Sequence, residues 1–337
     1  MSRILLVILA FLSVTAAHAF EPFQPLPEQP PIPSGNPQTG AKVSLGRQLF
    51  FDPRLSLTGK VTCNSCHNLA LGGEDGRSFS KGALGMVTTR STPTLWNVAF
   101  QTVYFWDGRA PSLEAAIAEH LLSPAIMGMP NPETLTGRLF AIEGYRAQFE
   151  AVFPGKEAVT RDHVAMALAS YIRTLVTPDG PFDQFLRGDE QAISQAARRG
   201  FKRYIETGCA SCHFWVNFSG PVPGLAFKMG EGFYELFPNY VGTEYDERYG
   251  LLKDEGRIRV TGEEGHRYMW RVQSLRNVAD TAPYFHNGSV ATLEEAVRLM
   301  AKTQLDKELT VEELSDIVAF LETLSGRYPE IEKPDLP

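Results

Sequence analysis

Cysteine is sparse in this chain: there are four among 337 residues, compatible with at most two disulfides or one shared metal site. Basic residues are in deficit, 32 against 39 acidic ones, which gives a net charge of −7 and excludes nucleic-acid binding as the expected role. Long apolar runs are also missing. The longest opens the chain, Ile4 to Leu12, and its nine residues are too few to span a bilayer. No alternating apolar and polar run is long enough to build a substantial sheet. The 29 Gly and 23 Pro follow no short period, and hydrophobic residues make up 43%, so neither a collagen nor a disordered polymer fits.

What is present divides the chain. Arg3, the apolar run and Ala17-His18-Ala19 have the order of a secretory signal peptide over residues 1–19, which predicts a periplasmic protein with no membrane span after processing. A leader follows over 20–40, with seven Pro in 21 residues, a composition suited to an extended segment that spaces or wraps a domain. Thr177-Pro178-Asp179-Gly180-Pro181 interrupts the helical pattern near the middle and marks the expected domain boundary, giving domains at 41–178 and 179–329 and a tail at 330–337. Elsewhere the periodicity is helical. Thr160 can cap a segment with Val164, Leu168, Tyr171, Ile172 and Leu175 on one face, and Thr292/Glu295 and Thr310/Glu313 have capping-box spacing. The fold class is mainly α, with loops expected at Asn68 to Arg90 and Phe214 to Gly262.

The chain matches itself at a shift of 180 residues. Thr94-Leu95-Trp96-Asn97-Val98-Ala99 faces Ser274-Leu275-Arg276-Asn277-Val278-Ala279. Tyr104-Phe105-Trp106-Asp107-Gly108 faces Tyr284-Phe285-His286-Asn287-Gly288, and Ser112 to Ile117 faces Thr292 to Val297 without a gap. Each half begins with an amphipathic segment leading to a Cys pair and ends in a similar helix, expected over Ala169 to Val176 and Val318 to Ser325. Two related domains explain this better than a solenoid does.

All four Cys lie in two copies of one motif, Cys63-Asn64-Ser65-Cys66-His67 and Cys209-Ala210-Ser211-Cys212-His213. The spacing is that of c-type haem attachment: two thiols add to the porphyrin vinyl groups and the adjacent His becomes an axial ligand of the iron. A four-Cys zinc site leaves both His unexplained and makes two domains share one metal. A thioredoxin-like pair lacks its βαβ setting, and disulfides between such close Cys would constrain almost no chain entropy. Two covalent haems are the reading that uses every motif residue.

With these motifs stand Leu45-Gly46-Arg47-Gln48-Leu49-Phe50-Phe51-Asp52, Gly72-Gly73-Glu74-Asp75-Gly76, Phe105-Trp106-Asp107-Gly108-Arg109, Leu275-Arg276-Asn277-Val278 and Pro283-Tyr284-Phe285-His286-Asn287-Gly288. Together they make the chain resemble, over nearly its whole mature length, the bacterial di-haem cytochrome c peroxidases and their relatives of the MauG type. The resemblance implies two cytochrome c-like domains, an N-terminal haem that meets hydrogen peroxide, and a C-terminal haem that takes electrons from a small cytochrome c or copper protein. It also implies a homodimer as one state of assembly. Met300 matches the axial Met of the second haem, beside His213. His286 would support that pocket, and Trp106 matches the Trp between the haems, where an indole can carry electrons by a short hop. His163, on a polar helix face, matches nothing and reads as structural.

The first haem is where this sequence departs from the resemblance. Counting on from His67 to the loop position where the family's peroxidases carry a second His reaches Ala83, as in MauG-like members that lack it. The family's distal acid/base Glu, in a Pro-x-Glu-Met-Gly motif, is replaced in Pro124-Ala125-Ile126-Met127-Gly128 by Ile126. His120 falls opposite Met300 under the 180-residue shift, and the resemblance places it over the first iron, either as a sixth ligand or as the proton-transfer group that Ile126 cannot be. An exposed helical His is the bland alternative. The family's inter-domain calcium site would use carbonyls around Thr281 and Pro283, with Ser91 where an Asn is expected. The expected activity is peroxide reduction, with a MauG-like oxidase of a partner protein and a plain di-haem electron carrier as alternatives.

Overall fold

The computed structural model describes residues 23–220 and 233–337; the signal-peptide expectation for 1–19 lies outside the described residues. Several helix starts are set by side-chain oxygens that satisfy otherwise orphaned N–H groups. Thr39 accepts from Lys42 N at the head of α1 (Gly40–Phe51), and the short α2 (Cys63–Cys66) carries the first Cys pair. Ser112 caps α3 (Leu113–Leu122), and Asn131 caps α4 (Pro132–Phe140), which is followed by α5 (Glu143–Val152). Thr160 caps α6 (Arg161–Ile172) by accepting from His163 N. The chain then turns through 173–180 into α7 (Pro181–Leu186) and α8 (Gln195–Thr207), which Gly208 ends in a left-handed conformation immediately before the second Cys pair. β1 (Tyr234–Leu236), α9 (Glu244–Arg248), α10 (Ile258–Thr261) and β2 (Met269–Arg271) follow, and α11 (Leu293–Leu305) and α12 (Val311–Glu322) complete the order. Glu313 closes a reciprocal box on Thr310. At α11 only the forward bond forms, because Glu295 accepts from the Tyr249 hydroxyl at 2.7 Å instead.

Two helix crossings organise the molecule, α1 on α6 and α8 on α12. Each depends on a glycine that lets backbones touch. A Cβ at Gly46 would lie 1.9 Å from the Ala167 carbonyl oxygen, and one at Gly200 would lie 1.8 Å from that of Asp316. Around the crossings stand two apolar cores, one including Leu45, Leu49, Phe50 and Leu168, the other Phe182, Tyr204, Phe218 and Phe320. Each such side chain, fully buried, contributes roughly 1.5–3 kcal/mol.

The 180-residue repeat is visible in the backbone. Asn97 and Asn277 both take left-handed φ values, 61° and 58°, as do Phe105 and Phe285, 67° and 69°. Single antiparallel bridges close the same turn in each half, Tyr104 to Ala110 and Tyr284 to Val290. At the seam, buried Thr177 lies between the two Asn: Asn97 Nδ2 and Asn277 Nδ2 donate to its Oγ1 at 2.8 and 2.9 Å. Helices α6 and α12 end earlier than the periodicity predicts, at Ile172 and Glu322, and the chain tightens into i to i−3 turns through Leu175 and Leu324. The carbonyls of those two residues, which a helix end leaves unpaired, accept from Asn97 N and Asn277 N.

Outside that core the halves diverge. The first inserts α4 and α5 before α6, and the second inserts β1, α9, α10 and β2, so the predicted loop from Phe214 to Gly262 holds short elements. β1 and β2 pair antiparallel with Tyr234 opposite Arg271. The Pro-rich leader wraps: Phe23 packs on Phe201 and Phe218 in the second core, Leu26 N donates to Asp183 Oδ1, and Asn36 reaches Glu114 and the Met166 carbonyl in the first half. The tail returns to the first half, with Tyr328 edge-on to Trp96 at 5.0 Å and Ile331 on the first core. Among the described residues no helix is long and apolar enough to cross a membrane.

Candidate haem sites

Both Cys pairs emerge from a helix end whose turn sets the following His. Thr62 and Ser65 close a capping box around α2, and His67 N donates to the Cys63 carbonyl at 2.9 Å; His213 N makes the same bond to Cys209 at 3.0 Å. The four thiols are unpaired, which removes the disulfide reading. Burial pushes the Cys63 thiol up to about 12 and Cys209 to about 11, opposite to the activated thiolate of a redox pair. No cluster of three His, Cys, Asp or Glu suited to a metal ion occurs among the described residues, so the four Cys do not converge on zinc.

The His side chains carry the signature of iron ligands. His67 Nδ1 bonds the Pro93 carbonyl at 3.0 Å, and His213 Nδ1 bonds the carbonyls of Phe218 and Gln273 at 3.1 and 3.2 Å. A carbonyl can only accept, so each Nδ1 carries the proton and each Nε2 keeps a lone pair for metal. Burial holds His67 near 4, with His120 adding to the fall, and keeps His213 below the ordinary imidazole range. Both are therefore neutral at neutral pH.

In the second half Cys209, Cys212, His213 and Met300 line one cavity, so α11 brings Met300 beside the second attachment motif. Trp106, Thr281, Pro283 and Ser91 line the same cavity. His286 stacks on Trp270 at 4.1 Å, and its buried Nε2 has no partner among the described residues. Sequence reasoning missed Arg271. This buried guanidinium bonds the Phe105 carbonyl and Gln273 Oε1, and no carboxylate lies within 4.0 Å of it among the described residues. Burial brings it down to about 10. An acidic propionate would supply the missing counter-charge, so the residues fit a haem here. Nothing in the sequence set Arg271 apart from other arginines, because its burial is created by β2.

Trp106 belongs to the first repeat, but its turn is gripped by the second. Its carbonyl accepts from Arg271 N at 2.9 Å, Tyr234 Oη donates to the Gly108 carbonyl at 3.0 Å, and Arg257 donates to that of Asp107 at 2.8 Å. Trp106 Nε1 donates to the Ser91 carbonyl at 2.8 Å, two residues from the Pro93 carbonyl that holds His67. One short segment, 91–93, therefore touches both the Trp106 indole and the His67 imidazole. Arg90 fastens that segment, reaching Asp107 at 2.5 Å and Asp254 at 2.7 Å.

At the first site His120 is brought to His67, with ring centroids 6.3 Å apart. Its Nδ1 bonds the Ala116 carbonyl at 2.7 Å, and its ring stacks on Phe105 at 5.0 Å, so it is not a free surface His. Ile126 packs against the first core, and its carbonyl accepts from Ala83 N at 2.7 Å. No acid occupies either position. His163 bonds the Ala158 carbonyl and stacks on Phe153 at 4.2 Å, which is a packing role.

Two attachment turns, each with an anchored His, on two related helical crossings define a di-haem protein of tandem cytochrome c-like halves. Comparison with known proteins places it further. The family model for di-haem cytochrome c peroxidases matches residues 40–191. The chain is 37% identical to cytochrome c551 peroxidase of Pseudomonas aeruginosa over 94% of its own length and 87% of that protein. It is 36% identical to the methylamine utilization protein MauG of Methylorubrum extorquens, over 92% and 86%. A solved MauG-like protein associated with microbial copper homeostasis superimposes with a TM-score of 0.78 at 29% identity, covering 88% of this chain and 93% of that one. The chain belongs to the di-haem cytochrome c peroxidase and MauG family: an oxidoreductase of the peroxidase type that carries two c-type haems.

Proposed function

We propose that the protein reduces hydrogen peroxide to two waters in the periplasm, consuming two electrons and two protons per turnover, with a small cytochrome c or copper protein as donor. The observation that carries this is the asymmetry of the two sites joined through one segment. A thioether-bearing pocket holds Met300 with His213, an imidazole pair holds His67 with His120, and Trp106 and residues 91–93 lie between them. Thioether ligation raises a haem's potential and suits the second site to receive electrons. When bound, the haems supply electron storage and the metal on which peroxide is cleaved.

The protein's own part is positional. His67, His213 and Met300 would hold the irons, and Cys63, Cys66, Cys209 and Cys212 the porphyrins. Trp106 fixes the path between the sites by its bond to Ser91. His120 is the side chain near His67 able to move a proton, the task that Ile126 cannot perform. A calcium ion at the seam would rely on the main-chain oxygens around Thr281 and Pro283. Steady-state peroxide consumption by the holoprotein with a reduced donor tests the reading: turnover is expected, and none with any small redox protein would leave an electron carrier. MauG-like oxidation of a partner's side chains would instead appear as new covalent products on that partner.

A further inference from the structure

The position and fixing of His120 go beyond a nearby proton donor. We infer that His120 is the sixth ligand of the first haem iron in the resting protein, supplied from helix α3. The inference rests on the peroxidase reading only for its consequence, namely that peroxide must compete with His120 for that coordination position.

Four observations carry it. Position 120 is the partner of Met300 under the 180-residue repeat, and both occupy the equivalent helix, α3 and α11. The Nδ1 of His120 is tied to a main-chain carbonyl, as is that of His67, so both rings leave Nε2 as the lone-pair nitrogen. Two imidazoles bound to one metal on opposite sides, with metal–nitrogen bonds of about 2 Å, have centroids roughly 6 Å apart. The observed separation is 6.3 Å. Finally, the ring is clamped: it lies parallel to Phe105, 8° between planes, and Arg109 covers the Phe105 ring at 3.5 Å.

The other place from which an imidazole could come is closed. Ala83 occupies it, inside a hairpin tied by the Lys81 to Val87 bridge and stitched to the next segment by Ala83 N on the Ile126 carbonyl. A Cβ at Gly82 would lie 2.1 Å from the Ala125 carbonyl oxygen, so the hairpin sits backbone to backbone on residues 125–126. The first site is therefore closed by a helix rather than by a loop.

Electron paramagnetic resonance of the ferric holoprotein tests this without reference to turnover. The wild type is expected to show both haems low-spin; His120→Ala is expected to convert one haem to high-spin, and His120→Met to restore a low-spin signal with altered g values. A high-spin first haem in the wild type would overturn the ligation, as would an unchanged low-spin spectrum in His120→Ala. If His120→Ala fails to retain both haems, the g-value change in His120→Met decides in its place. In stopped flow, the wild-type reaction with peroxide is expected to reach a plateau set by release of the imidazole, and His120→Ala to lose that plateau, its observed rate staying proportional to peroxide concentration. Low-spin wild type, high-spin His120→Ala and no turnover with any donor would leave the ligation standing and remove the peroxidase reading instead.

Discussion

The two halves share a helix crossing, a left-handed Asn, a strained aromatic turn and an attachment motif, yet their pockets are built for different ends. In the second, α11 contributes Met300 to a cavity whose wall includes a buried arginine with no carboxylate within 4.0 Å and a His286 whose Nε2 has no hydrogen-bond partner, among the described residues. In the first, α3 contributes His120, stacked on Phe105 and close to His67, while Ile126 packs on the first core. One exchange at one repeat position, Met for His, thus changes the side chain that the helix presents while the scaffold stays the same. The crossing supplies precision, and the helix position facing the attachment motif supplies identity.

The hardest test of that contrast removes one side of it. Cys209→Ser with Cys212→Ser is expected to yield a protein one haem lighter by mass spectrometry, with donor-supported turnover down by more than about 100-fold, beyond the range for changes to groups that merely support a ligand. Replacing Met300 by Leu should spare haem attachment but lower the second haem's potential and reduce turnover by roughly 10–100-fold, read by redox titration and steady-state rates. An unchanged potential would show that Met300 only packs. Trp106→Phe keeps the ring packing and loses the bond to the Ser91 carbonyl. Electron transfer between the sites should slow by roughly tenfold, or about 1.4 kcal/mol on the barrier, with both spin states unchanged.

The smallest effect concerns stability in the first half alone. Burial pushes the Asp52 carboxyl up, but hydrogen bonds from Arg54 and Tyr145, with the Arg54 charge, outweigh it and hold the group below its ordinary value. Tyr145 Oη donates to Asp52 Oδ2 at 2.6 Å. A carboxylate lowered in the folded state contributes its stability above its unfolded value, and that contribution is lost as pH falls through the folded value. Tyr145→Phe should therefore cost about 1–2 kcal/mol near neutrality and move the acid-unfolding midpoint upward, measured by circular dichroism against pH.

Much of this was legible in the chain. The caps at Thr160, Thr292 and Thr310 follow from local chemistry, since a hydroxyl three residues ahead of an N–H needs no tertiary partner. Other features were not legible, because distant segments decide them. Asn97 and Asn277 bond the carbonyls of Leu175 and Leu324 just past the ends of α6 and α12, a pairing that only the fold brings about. Glu295 misses its box because Tyr249 competes for it. The leader reads as an extended segment that spaces or wraps a domain; that it wraps, with Phe23 buried, is decided by the second core, which presents Phe201 and Phe218 to it.

By itself, the sequence determined the covalent chemistry: two attachment motifs, each with its adjacent His, and the repeat that pairs position 120 with position 300. These rest on spacing along the chain, which folding does not alter. The tertiary structure decided how close His120 comes to His67, which turn grips Trp106, and that Arg271 is a buried cation facing a cavity. Distance, burial and the absence of a counter-charge are properties of packed surfaces, and residues more than a hundred positions apart create them only when the two halves close on their shared seam.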